Sequence, residues 1–104
     1  MKRGDIWWAE LSEPLGRRPV VLISRNLAIQ VREAVTVAQI TTVVRDIPVE
    51  VKLNKQDGMP KDCAINCDVL LTIPKKMLLN FVTSLSPQKK KDLEKALKFA
   101  LGLS

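Results

Sequence analysis

A chain of 104 residues with 46% hydrophobic and 27% charged content reads as one soluble globular domain spanning residues 1–104, which excludes a disordered chain and leaves no room for two cores. No apolar run approaches the roughly 20 residues of a membrane helix, and Met1-Lys2-Arg3-Gly4-Asp5 lacks the apolar stretch of a signal peptide; the expectation is a cytoplasmic protein with no membrane partner. Seventeen basic residues against 11 acidic ones, net +6, favour a polyanionic partner, while the absence of histidine removes a histidine-based triad and, with only two cysteines, a structural zinc site.

Gly4 to Leu11 reads as a first strand in which Trp7 and Trp8 point to opposite faces, one into the core and one to a surface or interface. Ser12-Glu13-Pro14-Leu15-Gly16 is a loop, and Gly16 either makes the turn or lets the backbone approach a ligand. Arg17-Arg18-Pro19-Val20-Val21-Leu22-Ile23-Ser24 enters a central strand covered on both faces, with Pro19 tolerated only at its start. The residue before proline is extended, so Arg18 is held at the mouth of the strand and Arg17 points the other way. One arginine of the pair is then functional and the other solvated.

Arg25 to Ala34 is mixed, a loop with a weak turn of helix. Val35 to Ile40 is a third strand ending in Thr41-Thr42, two hydroxyls that either bond a local turn or hold a phosphate. A bend over Val43–Pro48 leads to the alternating strand Val49–Leu53, and the turn-rich Asn54–Asp62 leads to a cysteine strand ending at Asp68. Cys63 and Cys67 lie four strand steps apart, about 13 Å, beyond the roughly 7 Å reach of a disulfide. Pro74–Leu79 opens a short helix with proline first, and Phe81–Leu85 returns to a strand. Ser86 caps the last helix with Pro87 at its first position, and Leu93, Ala96, Leu97, Ala100 and Leu101 form its apolar stripe before Gly102. Five or six short strands, little helix until the end and no βαβ alternation predict a mainly β (α+β) fold, a small antiparallel barrel closed by a C-terminal helix.

Taken together, Arg3-Gly4-Asp5-Ile6-Trp7-Trp8-Ala9-Glu10-Leu11, Gly16 to Ser24, Ile40-Thr41-Thr42, Gly58-Met59-Pro60-Lys61-Asp62, Thr72-Ile73 and Ala100-Leu101-Gly102-Leu103 resemble the MazF/PemK family of endoribonuclease toxins along nearly the full chain. The resemblance implies an SH3-like barrel, a homodimer, a cognate antitoxin protein and cleavage of single-stranded RNA with no metal or other cofactor. It places the family's catalytic arginine on Arg18, its threonine on Thr41, and an acidic residue used by some members on Asp68. Arg17, Thr42 and Gly16 are the further candidates for RNA contact. The chain departs from the family where many members carry arginine and aspartate, having Leu71 and Pro74 there, in its shorter loop before Arg17, and in lacking a histidine that some members use.

Such chemistry does not require histidine, because RNA carries its own nucleophile, the 2′-hydroxyl; the protein has to align it with the phosphate and stabilise added charge. Arginine suits that charge through its two parallel donors. Thr41, with Thr42, would hold a phosphate oxygen, and Asp68 would take the 2′ proton or orient Arg18. Two other readings are a CcdB-like gyrase poison, which lacks support in a C-terminus without tryptophan, and a nucleic-acid-binding relative that has lost activity.

Overall fold

The strand anticipated around Pro19 spans Arg17–Leu22 (β2) in the computed structural model, which describes residues 1–104. Val20, Val21 and Leu22 are all fully buried; Val21 enters one core and its two neighbours another, so this strand is covered on both faces as its four-residue aliphatic run requires. Around it lie β1 (Asp5–Glu10), β3 (Ala34–Thr41), β4 (Glu50–Leu53), β5 (Cys63–Pro74) and β6 (Leu78–Ser84), with helices α1 (Asn26–Val31) and α2 (Pro87–Leu101). Every ladder is antiparallel, and the strand order β4-β5-β3-β2-β1-β6 forms one curled sheet whose edges, β4 and β6, do not pair with each other.

On one face α2 packs against β4 and β5, and Leu93 and Ala96 join Ile6, Val21, Ile40, Val51 and Ile65 in the larger core. The helix ends where local chemistry says it should. The Ser86 hydroxyl accepts from the Lys89 N–H (3.2 Å), Pro87 occupies the first position, and Gly102 takes φ +69°. Leu101, the last residue of the stripe, remains exposed. On the other face Ile29 of α1 packs with Ala9, Val20, Leu22, Val35 and Val37.

Three elements differ from the sequence reading. Arg25 to Ala34 contains a true six-residue helix, α1; it has no side-chain N-cap and is held by burial of Ala28 and Ile29. The cysteine strand does not stop at Asp68 but runs to Pro74, because Leu70, Leu71 and Ile73 pair with Ala38, Val37 and Val35 of β3. A bulge absorbs the charged residue: Asn66 pairs with Gln39 and Leu70 with Ala38, leaving Cys67, Asp68 and Val69 without counterparts on β3. Pro74 therefore closes a strand, Lys75–Met77 is only a 3₁₀ turn, and β6 starts early, at Leu78, which is buried opposite Ala9. Cys63 and Cys67 are buried free thiols.

Candidate active site

The beginning of β2 and the end of β3 lie side by side, and their ladder pairs Val20 with Gln39, Val21 with Ala38 and Leu22 with Val37. Continuing that register by two residues sets Arg18 across from Thr41, on the same side of the sheet. A cleft of about 240 Å³ opens at this spot. Leu15, Arg17, Arg18 and Pro19 form one wall, and Met59, Pro60 and Lys61, with Cys63, form the other. Thr41 and Thr42 lie between them, and Trp8 also borders the space.

The half-buried Arg18 is oriented by a hydrogen bond from its Nε to the Leu15 carbonyl (2.7 Å), which leaves its two terminal amino groups to face a ligand. The Thr41 hydroxyl accepts from the Val43 N–H (3.1 Å), so its own proton remains available to donate. Both groups thus offer donors to an anion. The expectation that Arg17 and Arg18 cannot serve one site does not hold. They do alternate along the strand, yet both border the cleft, because it lies at the strand's mouth rather than over one face. Arg17 is exposed and makes no side-chain hydrogen bond.

Gly16 does not border the cleft. With φ +65° it closes the β1–β2 turn, its carbonyl accepting from the Leu11 N–H (2.9 Å), and so delivers Arg17 and Arg18 to the mouth of the strand. Asp68 is not brought to the cleft either. Thr41 pairs with Ala64, four residues before Asp68 on β5, a separation of about 13 Å along the strand. Asp68 sits exposed in the bulge, its N–H on the Asn66 side chain (3.0 Å). Within this chain it does not border the cleft and forms no ion pair with Arg18.

Sequence reasoning passed over Trp8, Met59 and Lys61 as contributors. The signals were present: the second tryptophan of a pair on opposite faces needs another neighbour, and a lysine in a turn-rich segment leads into a strand beside Thr41. The charge of the cleft is one-sided, with three cations and no carboxylate on its walls. Cys63 adds no base. Burial pushes its thiol above the ordinary value, and the charges of Asp57 and Asp62 push it further, against the opposing effect of Lys61. No three histidine, cysteine, aspartate or glutamate side chains converge anywhere in the fold to hold a metal.

A family model described as PemK-like, MazF-like toxin of type II toxin–antitoxin systems matches residues 2–101. The chain belongs to this family. It is 35% identical over 103 residues to the probable endoribonuclease MazF5 of Mycobacterium tuberculosis, covering 98% of this chain and 94% of that protein. Against the same organism's probable endoribonuclease MazF2 the identity is 30%, covering 98% and 99%. Among solved structures, the Mycobacterium tuberculosis toxin MazF-mt6 superposes with a TM-score of 0.88 at 30% identity, covering 96% and 98%. A mycobacterial endoribonuclease in complex with its cognate antitoxin superposes at 0.89 and 25%, covering 100% and 97%. The family's curled antiparallel sheet with a C-terminal helix is the fold seen here. The family positions held here by Leu71 and Pro74 fall in the second half of β5, opposite Val37 and Ala34 and away from the cleft; Leu71 packs against the second core.

Proposed function

We propose that this chain is an endoribonuclease toxin that cuts single-stranded RNA at a preferred sequence in the β2–β3 cleft, using no metal. The observation that carries this reading is the placement of Arg18 beside Thr41, both with donors free, in a cleft whose charged lining residues are all cations. The substrate's 2′-oxygen attacks the adjacent phosphorus while the bond to the 5′-oxygen breaks, giving a 2′,3′-cyclic phosphate and a 5′-hydroxyl. Arg18 donates to the phosphate oxygens as charge builds on them, and Thr41 donates to a phosphate oxygen so that the attack is in line. Arg17 and Thr42 contact neighbouring backbone, Gly16 acts through the turn, and Trp8 offers a face on which an unstacked base can lie. Asp68 takes no step within one chain. With no side-chain base on the cleft walls, the 2′ proton leaves to solvent and the 5′-oxygen takes one from solvent.

The structural relative solved with its cognate antitoxin supports the same kind of partner for this chain, and a cationic cleft suits an acidic one. A homodimer is supported by exposed Leu79 and Phe81 on the edge strand β6. The helix stripe is not free for that role, because Leu93 and Ala96 are spent on the chain's own core. No helix is long and apolar enough to cross a membrane, and we assign the protein to the cytoplasm, where its substrate is. Incubation with a long single-stranded RNA in EDTA is expected to give fragments ending in a 2′,3′-cyclic phosphate. Activity lost in EDTA and restored by magnesium, gyrase inhibition without cutting, or binding alone would each overturn the reading.

A further inference from the structure

The cleft has a cation on each wall. β3 lies between β2 and β5 in the sheet, so the arginine wall and the turn that leads into β5 stand two strand spacings apart, about 10 Å. Arg18 and Thr41 account for one phosphate. Lys61, across the cleft, remains without an assigned task.

Lys61 is exposed, borders the cleft and forms none of the ion pairs of the molecule, which join Arg45 to Glu50, Lys52 to Asp46 and Lys89 to Asp57. Its neighbour Asp62 does not border the cleft. The turn that carries Lys61 is firmly built. The Asn54 side chain accepts from the Gln56 N–H (2.8 Å), the Asp57 carboxylate accepts from the Asn54 N–H (2.9 Å), and Met59 is buried in the larger core. Gly58 takes φ +93° and lies so close to Thr83 that a Cβ there would come within 2.6 Å of its hydroxyl. A long flexible side chain is thus anchored at a fixed backbone position beside the cleft, and its ammonium enters no ion pair.

Resting on the nuclease reading above, we propose that Lys61 holds the phosphate next to the scissile one and thereby fixes the register of the RNA strand across the end of β3. Two anchored phosphates restrict the backbone torsions between them, which is what in-line attack by a 2′-oxygen needs. Lys61 is a positioning residue in this scheme; it supplies a charge to a neighbouring phosphate and touches no reacting atom.

The test compares the wild type with Lys61→Met and Lys61→Arg on short substrates built around the mapped cut site: a dinucleotide with the scissile phosphate alone, and trinucleotides with one added phosphate on either side. The wild type should favour one trinucleotide over the dinucleotide by roughly tenfold to a hundredfold in kcat/KM, the range of a charge-assisted hydrogen bond. In Lys61→Met that preference should collapse towards one, and Lys61→Arg should keep most of it. A neutral methylphosphonate at the added position should depress the wild type and leave Lys61→Met little further to lose. On longer RNA the salt dependence of KM in Lys61→Met should flatten by about 0.7 in logarithmic slope, one phosphate's worth for a single strand. A preference that survives Lys61→Met, or a loss equal on dinucleotide and trinucleotide, overturns the inference while leaving the nuclease reading intact. Failure of the wild type to cut any RNA, with the trinucleotide preference still present in binding of 2′-deoxy analogues and lost in Lys61→Met, overturns the nuclease reading alone.

Discussion

Arg18 and Arg17 are neighbours in sequence but differ in how they are held, and that difference sets their separate consequences. Arg18 is half-buried and braced on the Leu15 carbonyl, so its terminal amino groups are held in place without a ligand. Arg17 is exposed and has no such brace. Arg18→Ala is expected to lower kcat by about a hundredfold or more, the usual cost of losing a donor aimed at developing charge. Arg17→Ala should instead raise KM a few-fold and soften the salt dependence; equal losses of kcat in steady-state assays of the two variants would defeat the assignment. The lack of a base on the cleft walls carries its own expectation. The rate should climb in proportion to hydroxide through neutral pH, with no bell, whereas a plateau governed by a carboxylate would return Asp68 to the reaction. The cysteines should be bystanders. Burial, and secondarily Asp68, pushes the Cys67 thiol up to about 11, and Cys63 is also raised, so neither is a ready thiolate. The folded protein should resist iodoacetamide at pH 8 while the unfolded chain is alkylated at once; fast labelling in mass spectra of native protein would contradict that environment.

The bend from Val43 to Pro48 follows the cleft threonines directly, and one carboxylate holds it. Glu50, its side chain 1% exposed, accepts from the Arg45 N–H (2.8 Å), the Arg45 Nε (3.0 Å) and the Asp46 N–H (3.1 Å). Burial alone would raise the Glu50 pKa; the backbone and side chain of Arg45 and the Asp46 N–H outweigh it and hold the value below its ordinary 4.5. A carboxylate depressed on folding contributes stability that is full above the unfolded value and fades as pH falls through the folded one. The brace should therefore persist through neutral pH and let go only in acid below about 4.5. Glu50→Gln should cost roughly 2 kcal/mol, lower Tm by several degrees, remove that acid limb, and weaken cleavage through Thr41, whose hydroxyl accepts from the first residue of the bend; thermal melts across pH showing the same acid limb in the variant would refute it. Elements written in local chemistry were legible in the sequence: α2 through Ser86, Pro87, its stripe and Gly102, and β2 through its aliphatic run. Those set by distant pairing were not. Asp68 reads as a strand end because a charge interrupts an apolar run, and only the β3 ladder shows that the strand bulges around it and continues. The same non-local fact decides the site, since Arg18 and Thr41 can be named from the chain but their opposition across two strands needs the register, and Lys61 looks solvated until its turn is seen against the cleft.

At the scale of the whole molecule, the net charge of +6 and the apolar edge make different demands. Such a charge favours a polyanion at any of several lysine-bearing surfaces, and the cleft differs from them in its arginine and threonine donors rather than in charge density. The edge calls for a partner. β6 is bonded to β1 on one side only, and its outer backbone would stand open to pairing with any extended chain. Leu79 and Phe81 both lie on that strand and are 40% and 54% exposed. The Phe81 ring meets Trp7 edge to face at 5.9 Å, and the Trp7 Nε1 is buried without an acceptor. A second copy covering this strand would bury the two apolar side chains and protect the edge, and a closed two-fold arrangement does both with one surface. The expected state is a dimer at micromolar concentration in light scattering, and Phe81→Glu should convert it to a monomer, because a carboxylate placed against the same residue of its mate is both desolvated and repelled. Trp7 reports on the outcome independently. Its indole borders Phe81, so dissociation should shift its emission to the red in a Trp8→Phe background, whereas a dimer persisting in Phe81→Glu with the emission unmoved would place the contact elsewhere on the molecule.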